Sequence, residues 1–438
     1  MHIYFSGIGG AGIGPLALVA KQAGYEVSGS DKQTSSYLEY LVSQGVQNIH
    51  IGQSTEDITA VHAKHPIDWF VYSSALPMEN PNHPELVFTK ENGIKATKRD
   101  EFITQMLADK NLKMIAVAGT HGKTTTTAMT VWLMQELGIP FSYLLPAKTS
   151  FASLGKYDPE SEYFVYECDE FDRNFLAYNP ELSLITGIDW DHPDIYPTRE
   201  EYNQAFRDFI GQSAYSFIWQ PDALIAGIEA SDTCKIIQYE DYAHSSTLPG
   251  EVNRQNAALV AQSIARITNQ TDTISYFDVL NRFPGVSRRF EQLIPGLYTD
   301  YAHTPPKIAG ALQLGKETAG DSLVVVYEGL HNTRQHFIKE DLAHLFDGLR
   351  QLYIVPSYLA REDESLALLS PSDLRELLSP EAQANTIPSQ MDQELKQAIQ
   401  QHIDNGDTVL CLTAGGGGSL DEWLRKEFTA YRLSPAPF

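Results

Sequence analysis

Cysteine is scarce in this sequence, positive charge is outnumbered and no long apolar run occurs. The three cysteines, Cys168, Cys234 and Cys411, stand far apart and show no paired metal-type spacing. That argues against a disulfide framework or a structural zinc and fits a reducing cytoplasm. Lys and Arg number 32 against 56 Asp and Glu, a formal net charge of -24. Such a surface repels a nucleic-acid backbone, so any polyanionic ligand has to be held by a local site. Nowhere is there a stretch of about 18 apolar residues, the length a membrane helix needs. The first apolar run, Ile3 to Phe5, breaks at once into glycines, so no signal peptide is expected. Short repeats and low-complexity tracts are missing as well. No partner among nucleic acids or membranes is expected, and the number of subunits stays open.

What the sequence does have is alternation. At about 150 residues per domain, 438 residues of which 42% are apolar suggest about three domains with several buried cores. Short β-branched and aromatic runs recur between helical stretches: His2 to Phe5, Trp69 to Tyr72, Met114 to Ala118, Tyr163 to Tyr166, Leu182 to Thr186, Leu323 to Tyr327, Tyr353 to Val355 and Thr408 to Leu412. This pattern predicts an α/β protein with mainly parallel sheets. Breaks near residues 108 to 112 and near Phe283 to Arg288 predict domains at 1–110, 111–286 and 287–438.

Met114 to Ala118 reads as a buried strand, Gly119-Thr-His-Gly-Lys-Thr124 as a tight loop, and Thr125 to Leu137 as a helix stopped by Gly138. That order places free backbone N–H groups and the positive end of a helix where phosphates can sit. Lys123 would bring charge to the outer phosphates and the Thr124 hydroxyl would hold Mg²⁺. Two residues separate the glycines, fewer than in the general phosphate-loop pattern. A plain turn and helix cap is the bland alternative.

Gly119-Thr-His-Gly-Lys-Thr-Thr-Thr-Thr127 resembles the ATP loop of the Mur ligases, where the tighter spacing is itself a mark of the family. The resemblance implies three domains: a Rossmann-like one that binds a UDP-sugar, a central phosphate-loop ATPase-like one with a mainly parallel sheet, and a Rossmann-like C-terminal one. It implies ATP and Mg²⁺ as cofactors, with Gly119, Thr120, His121, Gly122, Lys123, Thr124 and Thr125 around the phosphates. Tyr166-Glu-Cys-Asp-Glu-Phe-Asp172 and Thr186-Gly-Ile-Asp-Trp-Asp-His192 resemble two further family motifs. By resemblance Glu167 and Thr124 share one Mg²⁺, His192 holds a second, and Lys123, His192 and Arg289 carry the chemistry. Two departures stand out. Gly187 replaces an asparagine, and Leu144-Leu-Pro-Ala-Lys-Thr-Ser150 replaces a Gly-Gly loop.

Gly7-Ile-Gly-Gly-Ala-Gly12 followed by Asp31 satisfies the dinucleotide fingerprint, whose default reading is an NAD-dependent oxidoreductase. Together with Tyr72-Ser-Ser-Ala-Leu-Pro77 it also resembles the start of the alanine-adding Mur ligases. That implies Gly9, Gly10, Gly12, Asp31 and Ser74 as sugar-nucleotide contacts. Asn253 and Asn256 resemble an adenine-side helix start, although a helix cap is nearly as natural for either. Gly285-Val-Ser-Arg-Arg-Phe290 and Asp300-Tyr-Ala-His303 imply Arg289 at the γ-phosphate, Asp300 at the ribose and His303 near adenine. His331 and Arg334 lie in a partial match to the segment that orients the incoming amine. The implied reaction joins the lactyl carboxylate of UDP-N-acetylmuramate to L-alanine through an acyl phosphate. Glu170-Phe-Asp172 and Asp191 to Tyr196 resemble the peptide-adding members of the family instead, which implies a short peptide as the alternative amine. A non-catalytic nucleotide-binding regulator is the remaining reading, suggested by Gly187.

Overall fold

The computed structural model describes residues 1–192, 195–238, 240, 245–359, 362–363, 365–415 and 418–429. Pro193 and Asp194 within the Asp191 to Tyr196 motif, and Gly416 and Gly417, lie outside the described residues.

Three α/β sheets follow one another along the chain. The first contains β1 (His2–Ser6), β2 (Glu26–Asp31), β3 (Ile49–Ile51), β4 (Trp69–Tyr72) and β5 (Lys95–Lys98). Its order is β3-β2-β1-β4-β5, with every pair parallel. The second contains β6 (Lys113–Ala118), β7 (Phe141–Leu144), β8 (Gly155–Lys156), β9 (Tyr163–Glu167), β10 (Leu182–Ile185), β11 (Ser216–Trp219) and β12 (Cys234–Ile237), in the order β12-β11-β10-β6-β9-β7-β8. Only its edge pair β7–β8 is antiparallel. The third contains β13 (Glu291–Ile294), β14 (Leu297–Asp300), β15 (Leu323–Leu330), β16 (Gln351–Tyr358), β17 (Thr386–Pro388) and β18 (Thr408–Leu412), in the order β13-β14-β18-β15-β16-β17. The antiparallel pair β13–β14 forms one edge. Each of the eight runs read from the sequence falls on a strand. They are near-continuously apolar because parallel strands covered by helices bury both faces.

By compactness the chain divides into two units: residues 1–246 with 255–283, and residues 247–254 with 284–438. The first two sheets share the first unit, and one hydrophobic core runs from Ile3 through Met114 and Phe164 to Cys234. Gly155 at the edge of the second sheet shows how closely the two pack. A Cβ there would lie 2.9 Å from Val19 Cγ2 and 3.2 Å from Pro15 O, both in the helix that follows β1. The third sheet builds its own cores on its two faces, one around Leu312, Val325 and Ile354 and one around Val324, Tyr353 and Leu395.

Candidate active site

The strand, loop and helix around Gly119 form as the pattern demands, with one shift. The helix is Lys123–Glu136, so Lys123 and Thr124 already stand in its first turn rather than in the loop. Gly119 has φ +140° and Gly122 has φ +76°, conformations that residues with a Cβ rarely adopt. At Gly119 the constraint is also steric, since a Cβ would meet Thr186 Oγ1 at 2.4 Å and Gly187 O at 2.9 Å. The loop is pinned by its neighbour strand. Thr120 donates its N–H to Gly187 O (2.9 Å), and its hydroxyl contacts Asp189 O (2.8 Å) and the Tyr202 hydroxyl (2.7 Å). The Thr186 hydroxyl donates to His121 O. His121 Nε2 lies 3.6 Å from Asp189 Oδ2, and this partner holds the Asp189 carboxyl below its usual range.

Lys123 Nζ donates to Gly119 O at 2.6 Å and pairs with Glu170, whose side chain is only 2% exposed. Burial alone would push the Lys123 ammonium down. The carboxylates of Glu170, Asp169 and Glu167 outweigh it and hold the ammonium above its usual range, so it is charged at any physiological pH. His192 Nε2 lies 3.8 Å from the other oxygen of Glu170 and 3.9 Å from Asp191. His192 adopts φ +57°, a left-handed conformation that costs on the order of 1–3 kcal/mol for such a residue and clusters at working sites. Three sequence-predicted residues, Lys123, Glu167 and His192, are thus gathered at the ends of β6, β9 and β10, beside Thr124 and Thr125. Glu170 was missed as a site residue. Its only signal was its place inside the Glu167 to Asp172 motif.

Asn256 is 1% exposed and stands against the loop: a Cβ at Gly122 would lie 3.0 Å from its Oδ1. Asn253 instead donates its amide to Pro249 O at 2.9 Å, the helix-end role. At Gly187 a Cβ would meet only Asp222 Oδ1 at 3.9 Å, so a Cβ has room, while the backbone φ of +159° disfavours a residue with a side chain.

In the first sheet, the N–H of Gly9 donates to Asp31 Oδ2 (2.8 Å) and Ser35 donates to Gly9 O (3.0 Å), so Asp31 braces the loop. Gly10 closes a turn on Gly7 O (3.0 Å). Ser74 hydrogen-bonds Asp172, which Lys98 also grips. Lys98, the last residue of β5, and Arg99, the first of the helix that follows, neither singled out from the sequence, face Asp172 and Asp169 respectively.

In the second unit, Asp300 ends β14 and accepts the Phe290 N–H (2.7 Å), while burial pushes its carboxyl up to about 6. Arg289 donates to Tyr301 O (3.1 Å). His303 is 7% exposed, and burial with the charges of Lys307, Arg334 and Arg289 drives its pKa well down, keeping the ring neutral. Arg289, Asp300, His303 and Arg334 therefore share one neighbourhood. His331 stands at the start of the helix that carries Arg334, at φ +55°, its Nδ1 3.5 Å from Glu362.

A mainly parallel α/β architecture with a lysine-bearing strand, loop and helix, and carboxylates at adjacent strand ends, defines a nucleotide-binding protein of the phosphate-loop class. Residues 2–111 match the Mur ligase family catalytic domain and residues 117–271 the Mur ligase middle domain. A protein of Fusobacterium nucleatum named UDP-N-acetylmuramate--L-alanine ligase is 30% identical over 423 residues, covering 85% of this chain and 86% of that one. The protein of the same name from Desulforamulus reducens is 29% identical over 398 residues, covering 82% and 83%. Among solved structures, the UDP-N-acetylmuramate-alanine ligase of Thermotoga maritima matches with a TM-score of 0.73 at 20% identity over 98% of this chain and 99% of that one. A murein peptide ligase of Psychrobacter arcticus matches with a TM-score of 0.59 at 20% identity over 98% of each. The chain belongs to the Mur ligase family. Among the described residues no helix is long and apolar enough to cross a membrane.

Proposed function

We propose that this chain is an ATP-dependent ligase that joins the lactyl carboxylate of UDP-N-acetylmuramate to L-alanine, in peptidoglycan precursor synthesis. The observation that carries this reading is that Lys123 and His192 both face the buried carboxylate Glu170 at the mouth of the Gly119 loop. The shared name of the curated relatives supports the choice of substrates. Membership in the family sets aside the oxidoreductase reading of Gly7 to Gly12. The buried, unpaired thiols of Cys168, Cys234 and Cys411 accord with a cytoplasmic setting.

Chemically, two anions must meet: a carboxylate oxygen attacks the γ-phosphorus of ATP, the bond to the bridging oxygen breaks, and ADP leaves. An amine nitrogen then attacks the acyl carbon of the resulting acyl phosphate, phosphate departs, and the nitrogen gives up a proton. Loop N–H groups and the helix start at Lys123 donate to phosphate oxygens, and Lys123 exchanges its hold on Glu170 for one on the outer phosphates. Carboxylates of Glu167, Glu170 and Asp191, the Thr124 hydroxyl and the His192 imidazole are mainly oxygen donors, the type a hard divalent ion takes. Thr124 and Glu167 would hold one Mg²⁺ and His192 a second. When bound, Mg²⁺ supplies neutralising charge to the phosphoryl oxygens. Arg289, Asp300 and His303 are proposed as nucleotide contacts of the second unit, Asn253 and Asn256 as adenine-side contacts, and His331 and Arg334 as contacts to the incoming amine. Gly9, Gly10, Gly12, Asp31 and Ser74 are proposed for the sugar nucleotide.

The test offers UDP-N-acetylmuramate, ATP and Mg²⁺ with L-alanine or with a muramyl-type tripeptide, following phosphate release and product mass. Alanine-dependent release with an alanyl product is expected. Release with tripeptide alone moves the assignment to the peptide-adding reading, which Glu170-Phe-Asp172 favours. ATP binding with no turnover on either amine favours the regulator reading, which Gly187 and the 144–150 loop suggest.

A further inference from the structure

The first sheet gathers metal-ligating side chains at the end where its strands start. His2 opens β1, Glu26 opens β2, and His65 follows the helix Thr55–Lys64 in the turn that leads into β4. His2 and Glu26 are register partners in a parallel pair, so their side chains project from the same face of the sheet. One nitrogen from each histidine and one oxygen of Glu26 all lie within 4.8 Å of one another. The Gly7 to Gly12 loop and Asp31 stand at the other end of the same parallel strands, so this cluster is separate from the site described above.

His2 is held as a ligand histidine needs to be. Its ring is buried, and Nε2 lies 2.7 Å from the hydroxyl of Ser28, which is buried as well. A hydroxyl accepts as readily as it donates, so Ser28 can keep the ring proton on Nε2 and leave Nδ1 with its lone pair. Nδ1 lies 3.2 Å from the carbonyls of both His65 and Pro66, at the long limit of an N–H bond, so exchanging those contacts for a metal bond costs little. His65 Nδ1 meets Glu26 Oε1 at 2.6 Å, and its ring stacks on His2 with centroids 5.0 Å apart. Both side chains are about half-exposed, 53% and 47%, which gives them room to adjust and gives an ion access from solvent. Around a tetrahedral ion with bonds of about 2.0–2.1 Å, ligand atoms stand about 3.3 Å apart, so closing the site takes shifts on the order of 1 Å and a turn of the His65 ring. Asp68, which accepts the His2 N–H at 2.7 Å, adds a further negative charge at this end of the sheet. Two imidazoles and one carboxylate suit a borderline first-row cation better than Mg²⁺ or Ca²⁺, which take oxygen ligands. No thiolate is involved.

We propose that His2, Glu26 and His65 bind a divalent cation of the zinc type, with water in the fourth position, and that the ion clips together the starts of β1 and β2 and the turn entering β4. The site is independent of the ligase reading and stands or falls apart from it.

The test is calorimetric titration of the full chain with Zn²⁺, paired with melting curves at each metal concentration and with ADP binding as a check on the fold. The wild type should take up Zn²⁺ at this site and melt at a higher temperature with it, because an ion that binds only the folded chain stabilises it. His65→Ala and Glu26→Gln change half-exposed side chains and should leave ADP binding intact. Each should weaken the Zn²⁺ event by about 100-fold or more, since loss of an outer partner alone costs about 10- to 100-fold. Ser28→Ala, which removes such an outer partner from His2, should weaken it by about 10-fold. His192→Ala, which removes the imidazole beside the ATP loop, should retain it. Absence of both heat and a melting shift in the wild type at about 100 µM Zn²⁺ overturns the proposal. Wild-type Zn²⁺ affinity in either His65→Ala or Glu26→Gln overturns it too, because the site then lacks its three ligands. Loss of the event in His192→Ala places the ion at the central site and overturns it likewise, and unchanged affinity in Ser28→Ala overturns the role given to His2 Nδ1.

Discussion

Replacing Lys123 by Met removes the cation from a pair whose side chains are 14% and 2% exposed. Glu170 is left as a buried carboxylate facing His192 at 3.8 Å, with water unable to reach it freely. Breaking a buried pair from one side costs about 3–5 kcal/mol, because the survivor keeps its desolvation penalty without its partner. At roughly 2–4 °C per kcal/mol for units of this size, the melting temperature should fall by about 6–20 °C. Removing both charges at once, Lys123→Met with Glu170→Gln, eliminates the stranded charge, so most of that loss should return. The single and double variants should therefore differ by about 2 kcal/mol or more in a double-mutant cycle followed by urea unfolding. Neither should turn over, because both lack the ammonium that meets the outer phosphates. Stability in the single variant within about 0.5 kcal/mol of wild type would refute the buried-pair argument, since that is the range of an ordinary surface change. Near-normal phosphate release in it would refute the role given to the Gly119 loop.

Three further outcomes are expected. Gly119→Ala should abolish ATP-dependent phosphate release and lower the melting temperature, because its Cβ would meet the backbone oxygen of Gly187 at 2.9 Å at a φ of +140°; a normally active alanine variant would contradict the loop geometry. Glu170→Gln should tighten ADP binding in excess chelator by about 10-fold or more, since Lys123 no longer has to leave a charged partner, and unchanged affinity would speak against the exchange. Glu328 is 1% exposed and accepts the N–H groups of Ala414 and Leu420, yet burial pushes its carboxyl from 4.5 up to about 7. A folded-state pKa above the unfolded one gives stability that is complete below about pH 4.5 and is lost as pH rises through about 7, at most roughly 3 kcal/mol. Urea unfolding at about pH 5 and about pH 8 should show this decline and Glu328→Gln should flatten it; an equal slope in the variant would assign the pH dependence elsewhere.

Much of the fold was legible in the order of residues. Buried parallel strands announce themselves as apolar runs, and the loop at Gly119 is a local event: strand, two glycines with positive φ, then a helix. Helix onset was less legible. Lys123 and Thr124 read as loop because the cap is Gly122, whose left-handed backbone and lack of a capping side chain carry no chemical label. The sharing of one core by the first two sheets was not legible either, since it depends on helix and strand faces meeting, as at Gly155 and Val19.

The sequence by itself determined the sheets, the phosphate loop and the set of carboxylates and imidazole that belong to it, because hydrophobic period and loop chemistry are properties of neighbours along the chain. Only the tertiary structure decided who faces whom. Glu170 holds Lys123 from 47 positions away, and Gly12, which reads as one more fingerprint glycine, turns out to be the space that Arg99 fills. Charges act through distance in space, and no pattern along a chain records which strand ends a parallel sheet will bring together.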